Sequence, residues 1–259
     1  MAEYDISSPS NEQVKRLVRL QQRRHRDEER LFAVEEPRIV SRALQQGHAP
    51  VETYICPDDD LPTFGLTHVT MTREAIDRAS YRRSATGIIA LFPYWVTSLD
   101  LVSLSSEPLL LVAEGMEKPG NLGALLRIAD AAGSDGVILV EPAADPFNPN
   151  TVRSSTGALF TVPVAIAARA DVVRWLSDHD ISSVAASPEA ASSYWEAELT
   201  GPVAIWVGAE ATGLSEEAIA NADAAVSIPM QGIADSLNTA VSAALVIYEA
   251  RRQRRQEPV

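Results

Sequence analysis

The chain has 259 residues, of which 46% are hydrophobic, and its formal net charge is −13. A chain of this length and apolar content can form one large domain or two small ones with a hydrophobic core. The negative total argues against a protein that coats nucleic acid non-specifically, because attraction to phosphate depends on positive surface charge. The single cysteine, Cys56, excludes an intramolecular disulfide, and the four scattered histidines lack the spacing of a structural zinc site.

No segment is typical of a membrane protein or of a secretory signal. The first residues, MAEYDISSPSNEQ, lack a positive start followed by an apolar run. No stretch approaches the roughly 18 uninterrupted apolar residues of a membrane-spanning helix. Together with the absence of a possible disulfide, this predicts a protein of the reducing cytoplasm with no membrane partner.

The first part of the chain, up to about residue 100, predicts a small α/β module. Helices are expected over about 11–24, from Pro37 to about Gln46, and near 72–80. Strands are expected at LFAVEE, VETYICP and GIIALF. The segment PYWVTSLDLVSLSSEP then indicates an irregular connector, because it is rich in Pro and Ser.

From residue 107 onward, continuously apolar segments alternate with helical patterns. The expected strands are PLLLVAEG, GVILV, TVPVAIA, SSVAAS, PVAIWVG and AAVSIPM. The expected helical segments are NLGALLRIADAAG, NTVRSSTGALF, ADVVRWLSDHD, SEEAIANA and a last helix that opens near Ser236. This alternation predicts a parallel sheet covered by helices on both faces. In such sheets, ligands bind at the loops that follow the C-terminal ends of the strands.

Three of these loops carry glycines and polar residues that are suited to a binding site. They are EGMEKPGNLGALLR, VGAEATGLSEE and IPMQGIADSLN, and their notable positions are Asn121, Arg127, Gly208, Glu210, Ser236 and Asn238. Each loop also has a purely structural interpretation. The first would be a helix start, the second a turn with a surface glutamate, and the third a helix capped by Ser236.

Two basic clusters stand out against the acidic total. Residues 11–30 hold seven Lys and Arg against four acids, and RRQRR ends the last helix. Such clusters are either solvated helix faces or a local stripe that binds phosphate. The sequence alone leaves both interpretations open.

In this order and at these distances, the loops resemble the motifs of the SpoU (TrmH-type) RNA ribose 2'-O-methyltransferases of the SPOUT class. The resemblance covers about residues 107–255, through PGNLGALLRIADAAGSDGVIL, NPNTVRSSTGALFTVPV, VGAEATGLS and SIPMQGIADSLNTAVSAALVIYEA. The N-terminal part more loosely resembles the ribosomal-protein-like RNA-binding domain of many members. The resemblance implies an α/β fold class: a parallel-sheet trefoil-knot methyltransferase domain at 107–259, preceded by a small α/β RNA-binding domain at 1–100.

The resemblance also implies S-adenosyl-L-methionine as cofactor, RNA as substrate and a homodimer whose active site draws on both subunits. Ribosomal RNA is the expected substrate, with transfer RNA as the alternative, and no metal is implied. The expected catalytic residues are Arg127, Asn121, Glu210, Ser236 and Asn238. The expected cofactor-binding positions are Gly208, Ile228, Met230, Leu237 and Ser187. The expected RNA contacts are Arg153, Arg23, Arg24 and Arg26.

Methyl transfer to a ribose needs the 2'-hydroxyl in line with the methyl group and a route for the hydroxyl proton. A guanidinium is a poor base, so Arg127 is expected to hold the phosphate beside the target ribose and to stabilise the developing alkoxide. Two positions depart from the family pattern. Ala209 stands where members usually have Asn in the second motif, and Glu36 stands where Gly is common after Glu35.

Two other functions fit parts of this pattern. A catalytically silent RNA-binding or assembly protein would keep the same fold without transferring methyl groups. A nucleotide-dependent oxidoreductase would share the alternation of strands and helices, but the three-glycine fingerprint of that class is missing. An active RNA methyltransferase therefore remains the main prediction.

Overall fold

A computed structural model describes residues 4–82 and 86–255 of the chain. The chain divides into two compact units. The first comprises the residues up to Trp95 together with Asp145–Phe160, and the second comprises Val96–Ala144 and the residues from Thr161 onward. Within the described ranges, no helix is both long enough and apolar enough to cross a membrane.

The helices and strands are numbered in chain order. Up to residue 95 they are α1 (Glu12–Arg19), α2 (Arg23–Glu29), β1 (Leu31–Val34), α3 (Pro37–Gln45), β2 (Glu52–Ile55), β3 (Val69–Thr70), α4 (Arg73–Ala79) and β4 (Ile88–Pro93). After it they are β5 (Leu109–Glu114), α5 (Pro119–Ala132), β6 (Gly136–Val140), α6 (Pro149–Ser155), β7 (Val164–Ala167), α7 (Arg169–Asp178), β8 (Ser182–Ala186), β9 (Ser192–Ser193), β10 (Val203–Val207), α8 (Glu216–Ala220), β11 (Ala224–Ser227) and α9 (Thr239–Arg254).

The first unit contains a four-stranded sheet in the order β1-β4-β2-β3. β4 is antiparallel to both of its neighbours, whereas β2 and β3 are parallel. Helices α1 and α4 supply Leu17 and Ile76 to a core cluster that also contains Ile89 of β4. The sheet therefore has one face covered by these two helices.

The basic helix predicted over about 11–24 is two helices in the structure. α1 begins after Asn11, whose side chain accepts a hydrogen bond from the backbone N–H of Gln13, and it ends at Arg19. The Arg26 side chain explains the break, because its Nη1 donates to the carbonyls of Leu20 and Gln21 at 3.1 and 2.8 Å. A buried guanidinium thus satisfies carbonyl groups at the end of a helix that would otherwise lack partners.

Residues 145–160 pack with the first unit, although in sequence they lie between strands of the second. Phe147 stacks on Tyr94 with ring centroids 4.1 Å apart, and it also lies 5.0 Å from Phe32 of β1. Arg26 donates to the Asp145 carboxylate at 2.6 Å. An aromatic cluster and a buried ion pair therefore hold this segment.

The second unit contains a seven-stranded sheet in the order β7-β6-β5-β10-β8-β11-β9, and all its paired strands are parallel. Val112, Trp206 and Val172 belong to the core cluster on the face that packs against α7 and α8. Because strand side chains alternate between faces, the intervening residues point to the opposite face, where α9 contacts β5 and β10 and packs against α5. This confirms the predicted parallel sheet covered on both faces. The two-residue strands β3 and β9 were not predicted.

The last helix begins at Thr239 and is capped by Asn238, not by Ser236 as the sequence first indicates. The Asn238 Oδ1 accepts a hydrogen bond from the backbone N–H of Ala240 at 2.9 Å. Ala243 and Ile247 are fully buried on one side of α9, whereas Val241 and Tyr248 are 48% and 49% exposed. The helix therefore buries one face and leaves a second, partly apolar face open.

Candidate active site

The polar loops singled out in the sequence follow neighbouring strands of the seven-stranded sheet. β5, β10, β8 and β11 lie side by side and run in the same direction. The loops after these four strands therefore emerge at one edge of the sheet, which is where ligands bind in parallel α/β folds.

Four side chains from three of these loops, Glu210 among them, form one cluster. Lys118 donates to one carboxylate oxygen of Glu210, and the Nδ2 of Asn238 donates to the other. The same Nδ2 lies 3.3 Å from the Oδ1 of Asn121, which it also reaches as a donor. The structure thus brings together three of the predicted catalytic residues, Asn121, Glu210 and Asn238, and adds Lys118.

The charges of this cluster support each other. The Lys118 ammonium, through its hydrogen bond, holds the pKa of the Glu210 carboxyl below its ordinary value, and the Asn121 and Asn238 amides act in the same direction. Glu210 in turn raises the pKa of Lys118. Glu210 is therefore an ionised acceptor that orients its neighbours, and a carboxylate of lowered pKa is a weak base.

Gly208 begins the loop that carries Glu210, and it is required by the way this loop folds back on itself. A Cβ atom at Gly208 would lie 2.0 Å from the carbonyl carbon of Gly213 and 2.2 Å from the nitrogen of Leu214. Ala209 and Gly213 form a β-bridge, with the Gly213 N–H donating to the Ala209 carbonyl at 2.9 Å. This backbone bridge organises the loop around Ala209.

Beside the Glu210 cluster is a cleft of about 770 Å³, a size typical of small-molecule sites. It is lined by Gly208, Ser187, Ser236 and Leu237, among others. A smaller pocket with the same Ser187, Ser236 and Leu237 in its wall also contacts Ile228 and Met230. All five predicted cofactor positions therefore line these two adjoining pockets, together with the predicted catalytic Ser236.

Arg127 is separate from the Glu210 cluster. It lies six residues beyond Asn121 on α5, which is about 9 Å along the helix axis and on a different side of the helix. Its side chain is exposed, and it makes no hydrogen bond or ion pair with the described residues of the chain. One copy of the chain thus does not bring Arg127 to the other four predicted catalytic residues.

The predicted RNA-contacting arginines differ in exposure. Arg153 is exposed, and Arg23 and Arg24 are exposed on α2, where each pairs with an acid four residues further on. Arg26 differs from the prediction, because it is fully buried and its charge is paired with Asp145 at 2.6 Å. A guanidinium in that position is not available to a phosphate.

The basic end of α9 also has an internal role. Arg251 donates to the carbonyls of Ala132 and Gly133 at the end of α5. Arg254 donates to the carbonyls of Glu107, Pro108 and Gly201 at 2.7, 3.0 and 2.6 Å. These two arginines of the RRQRR segment therefore hydrogen-bond to backbone carbonyls of the same chain. The sequence had left open that this segment binds phosphate.

Lys118 and Thr239 were missed as contributors to the site. Lys118 directly precedes the proline at the start of α5. A charged residue just before a glycine-rich helix was the signal that could have identified it. Thr239 carries no such signal: its Oγ1 donates to the Gly208 carbonyl at 3.0 Å, across 31 residues of sequence. No group of His, Cys, Asp and Glu in residues 4–82 and 86–255 could hold a metal ion.

Comparison with known proteins agrees with this arrangement. The model of the SpoU rRNA Methylase family matches residues 108–248, which is more than half of the chain. The chain belongs to the SpoU family. The model of an MRM3-like substrate binding domain matches residues 11–90. The family resemblance stated from the sequence is thereby confirmed.

Individual SpoU relatives extend the match. A 23S rRNA (guanosine-2'-O-)-methyltransferase, RlmB of Vibrio parahaemolyticus, is 34% identical over 203 residues, covering 76% of this chain and 82% of the relative. A crystal structure of an RNA 2'-O ribose methyltransferase is 40% identical, with a TM-score of 0.86 over 96% of this chain and 98% of that chain. The SpoU methyltransferase AviRb of Streptomyces viridochromogenes, crystallised with AdoMet, is 27% identical, with a TM-score of 0.88 over 96% of this chain and all (100%) of that chain. The predicted α/β methyltransferase fold with an N-terminal substrate-binding domain is confirmed.

Proposed function

We propose that this protein transfers a methyl group from S-adenosylmethionine to the 2'-hydroxyl of a ribose in RNA, with ribosomal RNA of the cytoplasm as its substrate. The observation that carries the proposal is the cluster of Lys118, Asn121, Glu210 and Asn238 beside the cleft at the strand ends. The relatives support it, because RlmB is a 2'-O-methyltransferase of 23S rRNA.

The cleft fits the cofactor. S-adenosylmethionine supplies an electrophilic methyl group on a sulfonium, and its adenosine needs a concave surface with exposed backbone groups. We propose that the backbone at Gly208, Ile228, Met230 and Leu237 holds it, with Ser187 in the wall of both pockets. The close approach of backbone at Gly208 supports this role, since a side chain there would disrupt the loop.

The side chains of the cluster would position the ribose. The reaction forms a bond between the ribose oxygen and the methyl carbon, breaks the bond between that carbon and sulfur, and releases the hydroxyl proton. Asn121 and Asn238 would orient the ribose through their amide groups, and Ser236, at the wall of the cleft, would contact the same sugar. Glu210 would act by fixing Lys118 and Asn238, because its lowered pKa makes it a weak proton acceptor. The proton would pass to phosphate or water.

We also propose a homodimer whose active sites take Arg127 from the partner subunit. Arg127 lies on α5 between the small residues Ala124, which is half-buried, and Ala131, which is exposed, and α5 packs against α9. Val241 and Tyr248 of α9 are half-exposed apolar residues, and such an open face suits a second copy. Arg127 would then hold the phosphate next to the target ribose.

We further propose the trefoil knot of the SPOUT class for the second part of the chain. The limits 107–259 would describe the methyltransferase domain and 1–100 the RNA-binding domain. The contact of Thr239 with the Gly208 carbonyl supports the knot, because it brings the segment after β11 against the loop after β10. Arg153, Arg23 and Arg24 would contact RNA phosphates through exposed guanidinium groups.

Calorimetry with S-adenosylmethionine separates this proposal from a silent RNA-binding protein of the same fold. Binding is expected for the wild-type protein, and Gly208→Ala is expected to abolish it, because the added methyl group would lie 2.0 Å from backbone atoms. Gly201→Ala is the matched control, since a Cβ there would meet nothing within 4 Å. A wild-type protein that does not bind the cofactor would favour the silent module.

A further inference from the structure

An exposed tyrosine in the first unit is held at both ends by other parts of that unit. Tyr81 is 40% exposed. Its backbone N–H donates to the Glu35 carboxylate at 2.7 Å, and its hydroxyl oxygen accepts a hydrogen bond from the Asn150 side chain at 2.9 Å. The aromatic ring is thus exposed while both its backbone and its hydroxyl are fixed.

Arginines flank this ring. The Arg153 Nη2 donates to the Oδ1 of Asn150 at 3.2 Å, so one asparagine holds both the tyrosine and the arginine. Within the described residues, the Arg153 side chain donates a hydrogen bond only to Asn150. The other N–H groups of the Arg153 guanidinium are therefore available to a ligand. Arg82 lies next to Tyr81 and pairs with Glu36 at 3.3 Å. Tyr81, Arg82, Arg153 and Glu36 line one shallow cleft.

An exposed aromatic ring beside a guanidinium is the combination that binds unpaired RNA. Bases stack on the ring, and the guanidinium contacts the neighbouring phosphate. Stacking on a ring that is already fixed loses little conformational entropy on binding. Arg82 is neutralised by Glu36, so Arg153 is the better phosphate contact of the two.

We propose that Tyr81, Asn150 and Arg153 form a binding site for one unpaired nucleotide of the RNA substrate. The base stacks on the Tyr81 ring, Arg153 holds the adjoining phosphate, and Asn150 positions both side chains. That the bound RNA is the methylation substrate rests on the proposed function. Tyr81 lies in the segment that matches a substrate-binding domain model, and Asn150 and Arg153 lie on α6, which belongs to the same unit.

The test measures binding of a fluorescein-labelled single-stranded RNA of about twelve nucleotides, a length in the range of single-strand binding sites, by anisotropy with the full chain. Tyr81→Leu is expected to raise Kd by about fivefold to a hundredfold, because one stacked base is lost. Tyr81→Phe, which keeps the ring, is expected to bind within about threefold of wild type, less than the loss of one stacked base. A blunt RNA duplex of the same length is expected to show no such difference between the variants.

Arg153→Gln is expected to weaken single-strand binding for all sequences and to reduce the slope of log K against log salt by about 0.7. Trp195→Leu is the matched control for a lost exposed ring, since Trp195 is 53% exposed and lies in the other unit. Thermal unfolding and S-adenosylmethionine binding of each variant test whether the fold is kept. Equal RNA affinity of Tyr81→Leu and wild type overturns the site, as does an equal loss in Tyr81→Phe and Tyr81→Leu.

The site and the proposed function fail separately. If wild type methylates RNA while Tyr81→Leu binds single strands and transfers methyl groups normally, the nucleotide site is wrong and the function stands. If wild type binds single strands through Tyr81 but transfers no methyl group, the site stands and the proposed function is wrong.

Discussion

Asn238 joins the start of the last helix to the carboxylate of Glu210. Its Oδ1 caps α9 by accepting from the Ala240 N–H at 2.9 Å, and its Nδ2 donates to Glu210. One side chain therefore fixes both the end of the loop after β11 and the orientation of the acid after β10. The two functions of this amide can be separated by substitution.

Asn238→Asp keeps the capping oxygen but replaces the amide donor with a carboxylate that faces Glu210. Because aspartate is as good a helix cap as asparagine, the free energy of unfolding is expected to fall only by the repulsion between two exposed carboxylates, which is about 1 kcal/mol. Methyl transfer is expected to fall by about a hundredfold or more, as for loss of one oriented polar contact. Urea unfolding and single-turnover transfer measure the two effects. Normal transfer in this variant would show that the Asn238 donor is dispensable.

The sequence was most informative where its pattern is local. Continuous apolar runs predicted β5 and β10, because strands of a parallel sheet are buried on both faces. Helical periodicity predicted the helices between them. The motif residues Asn121, Glu210 and Asn238 do meet in space.

Long-range pairings were not accessible from such patterns. Arg26 looks like the other arginines of a basic helix, and its partner Asp145 lies 119 residues away. The assignment of residues 145–160 to the first unit depends on aromatic contacts with Tyr94 and Phe32, which periodicity does not encode. The cap at Asn238 was misplaced at Ser236 because both residue types are good caps.

Lys118→Met is expected to shift the acid limb of the pH–rate profile to higher pH. Lys118 is the main cause of the lowered Glu210 pKa, so without it that pKa moves back toward the ordinary value of 4.5. A depressed carboxyl pKa favours the ionised form, and the ordered cluster is lost as the pH falls through that pKa. The loss therefore begins at higher pH in the variant. An acid limb that does not move would mean that Glu210 does not control the site through its charge.

Asp145→Asn is expected to destabilise the protein by about 3–5 kcal/mol, because it leaves the buried Arg26 charge without a counter-ion. Arg26 is fully buried and Asp145 is 7% exposed, so solvent does little to screen this pair. Chemical denaturation measures the change in the free energy of unfolding. The double variant Arg26→Met with Asp145→Asn removes the charge as well and is expected to recover only part of the loss, because the Leu20 and Gln21 carbonyls lose their Arg26 donor. A single variant as stable as wild type would contradict the assigned structural role of Arg26.

Mixing two inactive variants tests the shared active site. Arg127→Ala and Asn238→Ala are each expected to lose methyl transfer as homodimers. If each site combines Arg127 of one subunit with Asn238 of the other, a mixed dimer contains one intact site. An equal mixture, after subunit exchange, should then regain up to about a quarter of wild-type activity. A mixture that stays inactive although subunits exchange would show that both residues serve the same site from one chain.

The most direct measurement is transfer of labelled methyl groups from S-adenosylmethionine to unmodified 23S rRNA transcript, with unmodified transfer RNA in parallel, followed by mapping of the modified ribose. We expect one methylated 2'-oxygen in the ribosomal RNA, and loss of that product in Arg127→Ala with cofactor binding unchanged. A wild-type protein that binds S-adenosylmethionine but leaves both RNAs unmethylated, or that methylates a base, would contradict it.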